Sequence, residues 1–99
     1  MSEKLNGTRR ALRIIKALKG KSTSGVSNKA LAEALNESPV NVSRAVAILV
    51  DEGFVTRLDN GLYALSIQLT QIAMSHLSEI DKAQSRLDQL KQRSAVLIN

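Results

Sequence analysis

A mainly helical fold with one small β-hairpin is predicted by three observations. Three short amphipathic segments lie before residue 54, each bounded by polar residues or glycine. The stretch "RLDNGLY" at residues 57–63 contains Asn60-Gly61, the strongest two-residue signal for a hairpin turn. From Leu62 to the end there is neither Pro nor Gly, so a long helical segment can run through the tail. Composition agrees. Of 99 residues 43% are hydrophobic but only 2% aromatic, so the core must be built from Leu, Ile, Val and Ala, which suits helices. A chain of this length buries one small core, which implies one domain over residues 1–65 and an appended helical segment over residues 66–99.

The elements follow in order. In "TRRALRIIKALKG" (residues 8–20), Ala11, Leu12, Ile15 and Leu18 recur at helical spacing, with Ile14 beside them; Thr8 is a candidate first cap and Gly20 a stop. The polar loop "KSTSGVS" follows, and its Ser27 is a candidate N-cap for "NKALAEALN", in which Ala30, Leu31, Ala34 and Leu35 share a face. Asn36 then tolerates the left-handed conformation needed to leave a helix. Ser38 caps a third helix, with Pro39 at the first position, where no amide donor is needed. Val42, Val46 and Leu49, with Ala45, form its apolar stripe, and Gly53 ends it. With Asn60-Gly61 as the hairpin turn, Leu58 faces Tyr63 and Thr56 faces Leu65 on the covered face, and Arg57 points the other way.

The spacing in the middle carries more information. Ala32 permits a close helix crossing, Asn36 makes the turn four residues later, and Val42 locks the next helix onto the previous one. This is a helix-turn-helix, and the hairpin makes it a winged one. In that motif the start of the second of the paired helices enters the DNA major groove. Here it carries Val40, Asn41, Ser43 and Arg44, short side chains apart from the Arg, so the backbone can sink into a groove. Asn pairs bidentately with adenine, and Arg pairs with guanine or a phosphate. These four are the candidate base readers. Arg9, Arg10, Ser27, Lys29, Ser38, Arg57 and Asn60 are the candidate contacts to the DNA backbone.

Charge points the same way. Residues 1–29 hold eight bases against Glu3 alone, a balance of +7; the remaining seventy hold six bases and eight acids, a balance of −2. A polyanion partner fits this asymmetry, nucleic acid before membrane. There is no cysteine and only one histidine, His76, so neither a disulfide, a thiolate site nor a metal cofactor is expected. His76 reads as a packed or half-exposed helix residue. No Ser/His/Asp set, Gly-rich phosphate loop or clustered acids suggests an enzyme. No apolar run is long enough for a membrane span, and the start lacks a signal-peptide core, so a cytoplasmic protein without a membrane partner is expected.

Several stretches together resemble the N-terminal DNA-binding portion of the IclR family of bacterial transcription regulators. They are "ALRIIKAL", "ALAEALN", "VNVSRAVAILVDEGFV" and "GLYALS", with Arg44 in the recognition helix, Gly53-Phe54 after it, and Tyr63-Ala64-Leu65 closing the wing. The likeness covers residues 8–93. It implies a sequence-specific regulator that binds double-stranded DNA in the bacterial nucleoid or a phage-infected cell. Members of that family continue into a large ligand-sensing domain, which 99 residues do not accommodate, so no small-molecule effector is expected. Two readings follow: a minimal regulator of the kind carried by phages or plasmids, or a piece of a longer chain.

The tail bears on assembly. Leu69, Ala73, His76, Ile80, Ala83, Leu87 and Leu90 step alternately by four and three, a heptad seam of about three repeats, with Leu77 beside it. The family resemblance implies a linker helix and a second helix here, and Asp81 with Gln84 is a possible cap; a single helix is the alternative. Either way the stripe exceeds what a small winged helix covers. A homodimer is expected, with Leu12, Leu69, Ala73, Leu77, Ile80, Leu87 and Leu90 at the interface. The closing "AVLIN" reads as a frayed end or the start of a strand. Two alternatives stand beside the dimeric regulator on an inverted repeat: a winged-helix module that binds another regulator or a polymerase, and a nonspecific nucleic-acid-binding protein.

Overall fold

The computed structural model describes residues 6–98, with side chains described to residue 95. The order is α1 (Gly7–Ala17), α2 (Asn28–Leu35), α3 (Pro39–Asp51), β1 (Val55–Arg57), β2 (Tyr63–Leu65) and α4 (Ile67–Ile98). Contacts divide the chain into two units, Met1–Leu69 and Thr70–Asn99. The fold class is the expected one: helices with a small antiparallel hairpin and a C-terminal helix.

Caps explain most helix boundaries. Ser27 accepts the Ala30 N–H at 3.0 Å, and Ser38 accepts the Asn41 N–H at 3.2 Å, with Pro39 in the first turn of α3. Asn36 is left-handed, at φ 52° and ψ 50°. The Glu37 N–H returns to the Ala32 carbonyl and the Asn36 N–H to that of Glu33, a Schellman closure that satisfies the last carbonyls of α2. The end of α3 repeats it: Phe54 N–H bonds Leu49 O, Gly53 N–H bonds Val50 O, and Gly53 has φ 86°. The start of α1 differs from expectation. Asn6, not Thr8, is the cap, accepting the Arg9 N–H at 2.8 Å, and the helix ends at a Leu18 cap, with Gly20 in the turn beyond.

The core of the first unit lies among the three helices and the hairpin. Ile14 and Leu18 of α1, Leu31 and Ala32 of α2, and Val42, Ala45, Val46 and Leu49 of α3 are buried together with Val55. Phe54, Tyr63 and Leu65 pack on it half-buried. Two stripes are shifted from the sequence reading. On α1 the buried line runs through Ile14 and Leu18, leaving Leu12 54% exposed. On α2 it runs through Leu31 and Ala32, leaving Ala30 and Ala34 exposed. Ala is small enough to sit on either side of a helical stripe, so it marks the face less sharply than Leu or Ile does.

The hairpin register is one residue away from expectation. Val55 pairs with Leu65, Thr56 with Ala64, and Arg57 with Tyr63. The Leu58 N–H bonds Leu62 O at 2.7 Å and the Gly61 N–H bonds Leu58 O at 2.8 Å, so the loop is Asp59-Asn60-Gly61. A two-residue type I′ turn needs positive φ at both Asn60 and Gly61, but only Gly61 has it, at 83°. The Asn60 side chain instead accepts the Leu62 N–H at 2.9 Å, and the turn becomes a three-residue loop ending in a glycine bulge. The shift re-sorts the faces. Arg57 therefore shares a face with Tyr63 and Leu65 and does not oppose them. The residues before α2 add an edge to the hairpin, with Val26 and Tyr63 exchanging backbone bonds at 2.8 and 2.9 Å.

The second unit is a single helical run. Helix α4 is continuous across Asp81, so the break into two helices implied by the family resemblance is absent, and residues 95–98 continue the helix instead of starting a strand. Asn99 lies outside the described residues, as do Glu3 and Lys4 of the charge count. Leu77, Ile80, Leu87 and Leu90 are 51–57% exposed, and Ala73 is exposed as well, while Leu69 in the first unit is half-buried.

Candidate nucleic-acid interface

Side-chain bonds join the starts of α2 and α3. Asn28, the first residue of α2, donates from Nδ2 to the Pro39 carbonyl at 3.2 Å and accepts the Ser43 hydroxyl at 3.2 Å. The Ser27 and Ser38 hydroxyls accept backbone N–H groups, and each keeps its own O–H to donate. Two helix N-termini with their partial positive charge thus sit side by side, an arrangement suited to phosphate.

The start of α3 is also tied to α1, through Glu37. One carboxylate oxygen, Oε1, accepts the Ser38 N–H at 3.1 Å and Asn41 Nδ2 at 2.9 Å. The other, Oε2, takes Nε and Nη2 of Arg10, each at 3.0 Å. Both side chains of this pair are only 16% exposed. The Asn41 amide, the Ser38 backbone N–H and the Arg10 guanidinium hold the Glu37 carboxyl down to about 2, from its ordinary 4.5. A carboxylate just ahead of α3 also suits the positive end of that helix.

The candidate readers differ in presentation. Val40 is 59% exposed, and Ser43 and Arg44 are exposed. Asn41 is half-buried, with one amide hydrogen held by Glu37. Arg44 also lines an apolar groove of about 520 Å³ between α1 and α3, together with Leu12, Ile15, Ile48 and Phe54. Lys29 and Arg9 are exposed. Arg10, expected to meet a phosphate, is turned inward onto Glu37 because the carboxylate offers it a two-bond partner within the domain.

The wing lies next to this face. Asn60 donates to the Ser24 carbonyl at 3.4 Å, near the loop that leads into Ser27. The Arg57 guanidinium lies over the wing tip, and a Cβ placed on Gly61 would be 3.6 Å from its Nη2. Arg57 and Asn60 are both exposed. Glu37 and Asn28 escaped the sequence reading. Glu37 looked like one polar turn residue among several, and Asn28 like an ordinary first-turn residue; their partners lie 27 and 15 positions away, beyond any local pattern. Only Glu37 to Asn41, four apart, was a spacing that local reading could have flagged. Among the described residues no cluster of three or more His, Cys, Asp or Glu could hold a metal, and no helix is long and apolar enough to cross a membrane.

Comparison with known proteins gives a consistent result. No curated protein matches the sequence. Among solved structures, an IclR family transcriptional regulator from Brucella abortus superposes with a TM-score of 0.64 at 22% identity, over 79% of this chain and 31% of that one. The IclR protein of Thermotoga maritima gives 0.61 at 25% identity, over 72% and 28%. The Agobacterium tumefaciens repressor BlcR gives 0.62 at 23% identity, over 88% and 35%. The matched portion is about a third of the length of each of these proteins. The profile of the IclR helix-turn-helix domain matches residues 7–59, which contain all three helices of the first unit and the first strand of the wing. By that match the chain belongs to the IclR helix-turn-helix family of DNA-binding transcription regulators.

Proposed function

We propose that the protein is a sequence-specific regulator that binds double-stranded DNA as a homodimer on an inverted repeat. The observation that carries this reading is the exposed start of α3, capped by Ser38-Pro39, which presents Val40, Ser43 and Arg44 beside the N-terminus of α2. Base recognition falls to Val40, Asn41, Ser43 and Arg44. Phosphate contacts fall to Arg9, Lys29 and Arg57, to the free O–H groups of Ser27 and Ser38, and to the second amide hydrogen of Asn60. Helix α4 supplies the dimer seam, and Leu12 contributes from α1. Two recognition helices related by a two-fold axis would read half-sites about one helical turn apart or a multiple of it. No catalytic role is included in this reading, and the setting is the bacterial cytoplasm.

Selection of bound sequences from a random duplex library, with stoichiometry measured on the winners, tests the proposal. The expected winners are palindromes bound by two protomers. Equal affinity for all duplexes would replace this reading with a nonspecific coat, and no duplex binding at all would favour a protein-interaction module.

A further inference from the structure

We infer that Glu37 is a specificity-determining positioning residue, which fixes the order of donor and acceptor that Asn41 offers to a base. The inference rests on the reading that α3 enters the major groove. An Asn amide has two faces of nearly equal shape, one ending in Oδ1 and one in NH₂. Left alone, it can present them in either order. Here Nδ2 lies 2.9 Å from Glu37 Oε1. Turning the amide over would set Oδ1 against that oxygen, two acceptors with no hydrogen between them, so one orientation is held. One N–H is then used internally, and Oδ1 and the second N–H remain for DNA.

That pair matches adenine, whose major-groove edge offers N7 as acceptor and N6 as donor. Guanine shows two acceptors and leaves Oδ1 facing one of them; cytosine offers only a donor. Because the order is fixed, the adenine must also lie on a defined strand. Glu37 itself is held from three sides: Arg10 takes Oε2 from α1, and the Ser38 N–H shares Oε1 with Asn41. Arg10 serves a second purpose, cancelling a carboxylate that would otherwise repel phosphate. Loss of Glu37 therefore leaves the amide free to turn and removes one negative charge beside the DNA-binding face.

The test is a random-duplex selection at one salt concentration with the wild type, Glu37→Ala, Glu37→Gln, Asn41→Ala and the Glu37→Ala/Asn41→Ala double variant, plus the salt dependence of binding to one random duplex. The wild type should prefer adenine at one position in each half-site. Asn41→Ala and Glu37→Ala should each reduce that preference about tenfold and leave other positions unchanged, and the double variant should be no worse than Asn41→Ala alone. Glu37→Gln, which keeps an acceptor oxygen for the Asn41 amide, should retain more of the preference than Glu37→Ala. Both Glu37 variants should bind random DNA more tightly at low salt, because a negative charge beside the phosphates is gone. A wild-type preference that survives Glu37→Ala, or one lost equally at every position, overturns the inference and leaves the DNA-reading proposal standing. A wild type without preference at any base overturns both. A measurement on the unmodified protein guards against a variant that fails to fold: the Asn41 side-chain NH₂ signals should show one hydrogen protected from exchange. Two equivalent, rapidly exchanging hydrogens would overturn the inference.

Discussion

Replacing Leu87 and Leu90 by Asp should abolish dimerisation, and the expected size follows from exposure. Leu77, Ile80, Leu87 and Leu90 are 53%, 51%, 54% and 57% exposed, and Ile72, on the flank of the stripe, is 51% exposed. Fully burying such a side chain contributes about 1.5–3 kcal/mol, so covering the remaining half contributes about 1 kcal/mol. Five residues from each of two protomers give about 10 kcal/mol gross. Subtracting an association cost of about 4 kcal/mol, the low end of its range, leaves about 6, a dissociation constant of about 40 µM. Two leucines from each protomer account for about 4 kcal/mol of that, so the double variant should bind itself about a thousandfold more weakly, before any cost of burying carboxylates. Sedimentation equilibrium from about 10 µM to about 1 mM should show dimer forming in the wild type and only monomer in the double variant. Leu87→Ala with Leu90→Ala, which keeps good helix formers, separates lost contact from lost helix. A wild type that stays monomeric at these concentrations, even with operator DNA present, refutes the reasoning, as does an Asp variant that remains a dimer.

Four further outcomes are expected. Arg57→Ala should weaken every duplex alike and lower the salt slope by about one unit, read by binding at several salt concentrations. Arg44→Ala should cost about 1–3 kcal/mol on the selected site and much less on random DNA; equal loss on both would make Arg44 a phosphate contact. Asn36 sits at φ 52°, so Asn36→Ala should destabilise by about 1–2 kcal/mol in thermal melts while Asn36→Gly is tolerated, and an unchanged Ala variant would contradict the left-handed turn. The Glu37 carboxyl is depressed in the folded state, so its stabilisation is complete above the ordinary value of 4.5 and is lost as pH falls toward about 2. The melting-temperature gap between wild type and Glu37→Gln should therefore be constant above that range and narrow within it; a gap independent of pH would show that the charge contributes nothing.

The parts of the fold legible in the sequence were those set by one residue's conformational or bonding preference. Ser27, Ser38, Pro39, Asn36 and Gly53 each occupy the position their chemistry suits, and they delimit α2 and α3 correctly. Where two local solutions were compatible with the same residues, the surroundings decided. Asn60-Gly61 can form a two-residue turn, but the Asn60 side chain bonds both Leu62 and Ser24 when its backbone avoids positive φ, and the register moves by one. Asn6 outcompeted Thr8 as a cap, so α1 starts earlier than the apolar stripe suggested. The candidate interface was legible as the start of α3 and no further. Which side chains are free and which are held depends on Arg10, Asn28 and Glu37, whose bonds cross between elements.

Those crossing bonds bear on what kind of reader the protein can be. A carboxylate next to a phosphate-binding face lowers affinity for any DNA, so its presence calls for a compensating effect. Hydrophobic packing offers none, because the Glu37 side chain is held through its oxygens. Helix stability offers a little, through the Ser38 N–H and the positive end of α3. A simple capping residue would do as much without an inward Arg10, which leaves one fewer cation for phosphate. On the proposed reading, the pair removes attraction common to all sequences and keeps the amide of Asn41 for telling one base from another. Specificity is a difference between affinities, and lowering the shared electrostatic part raises the weight of that difference. On this argument the neutral Arg10–Glu37 pair suits a protein that must leave random DNA readily and stay on few sites.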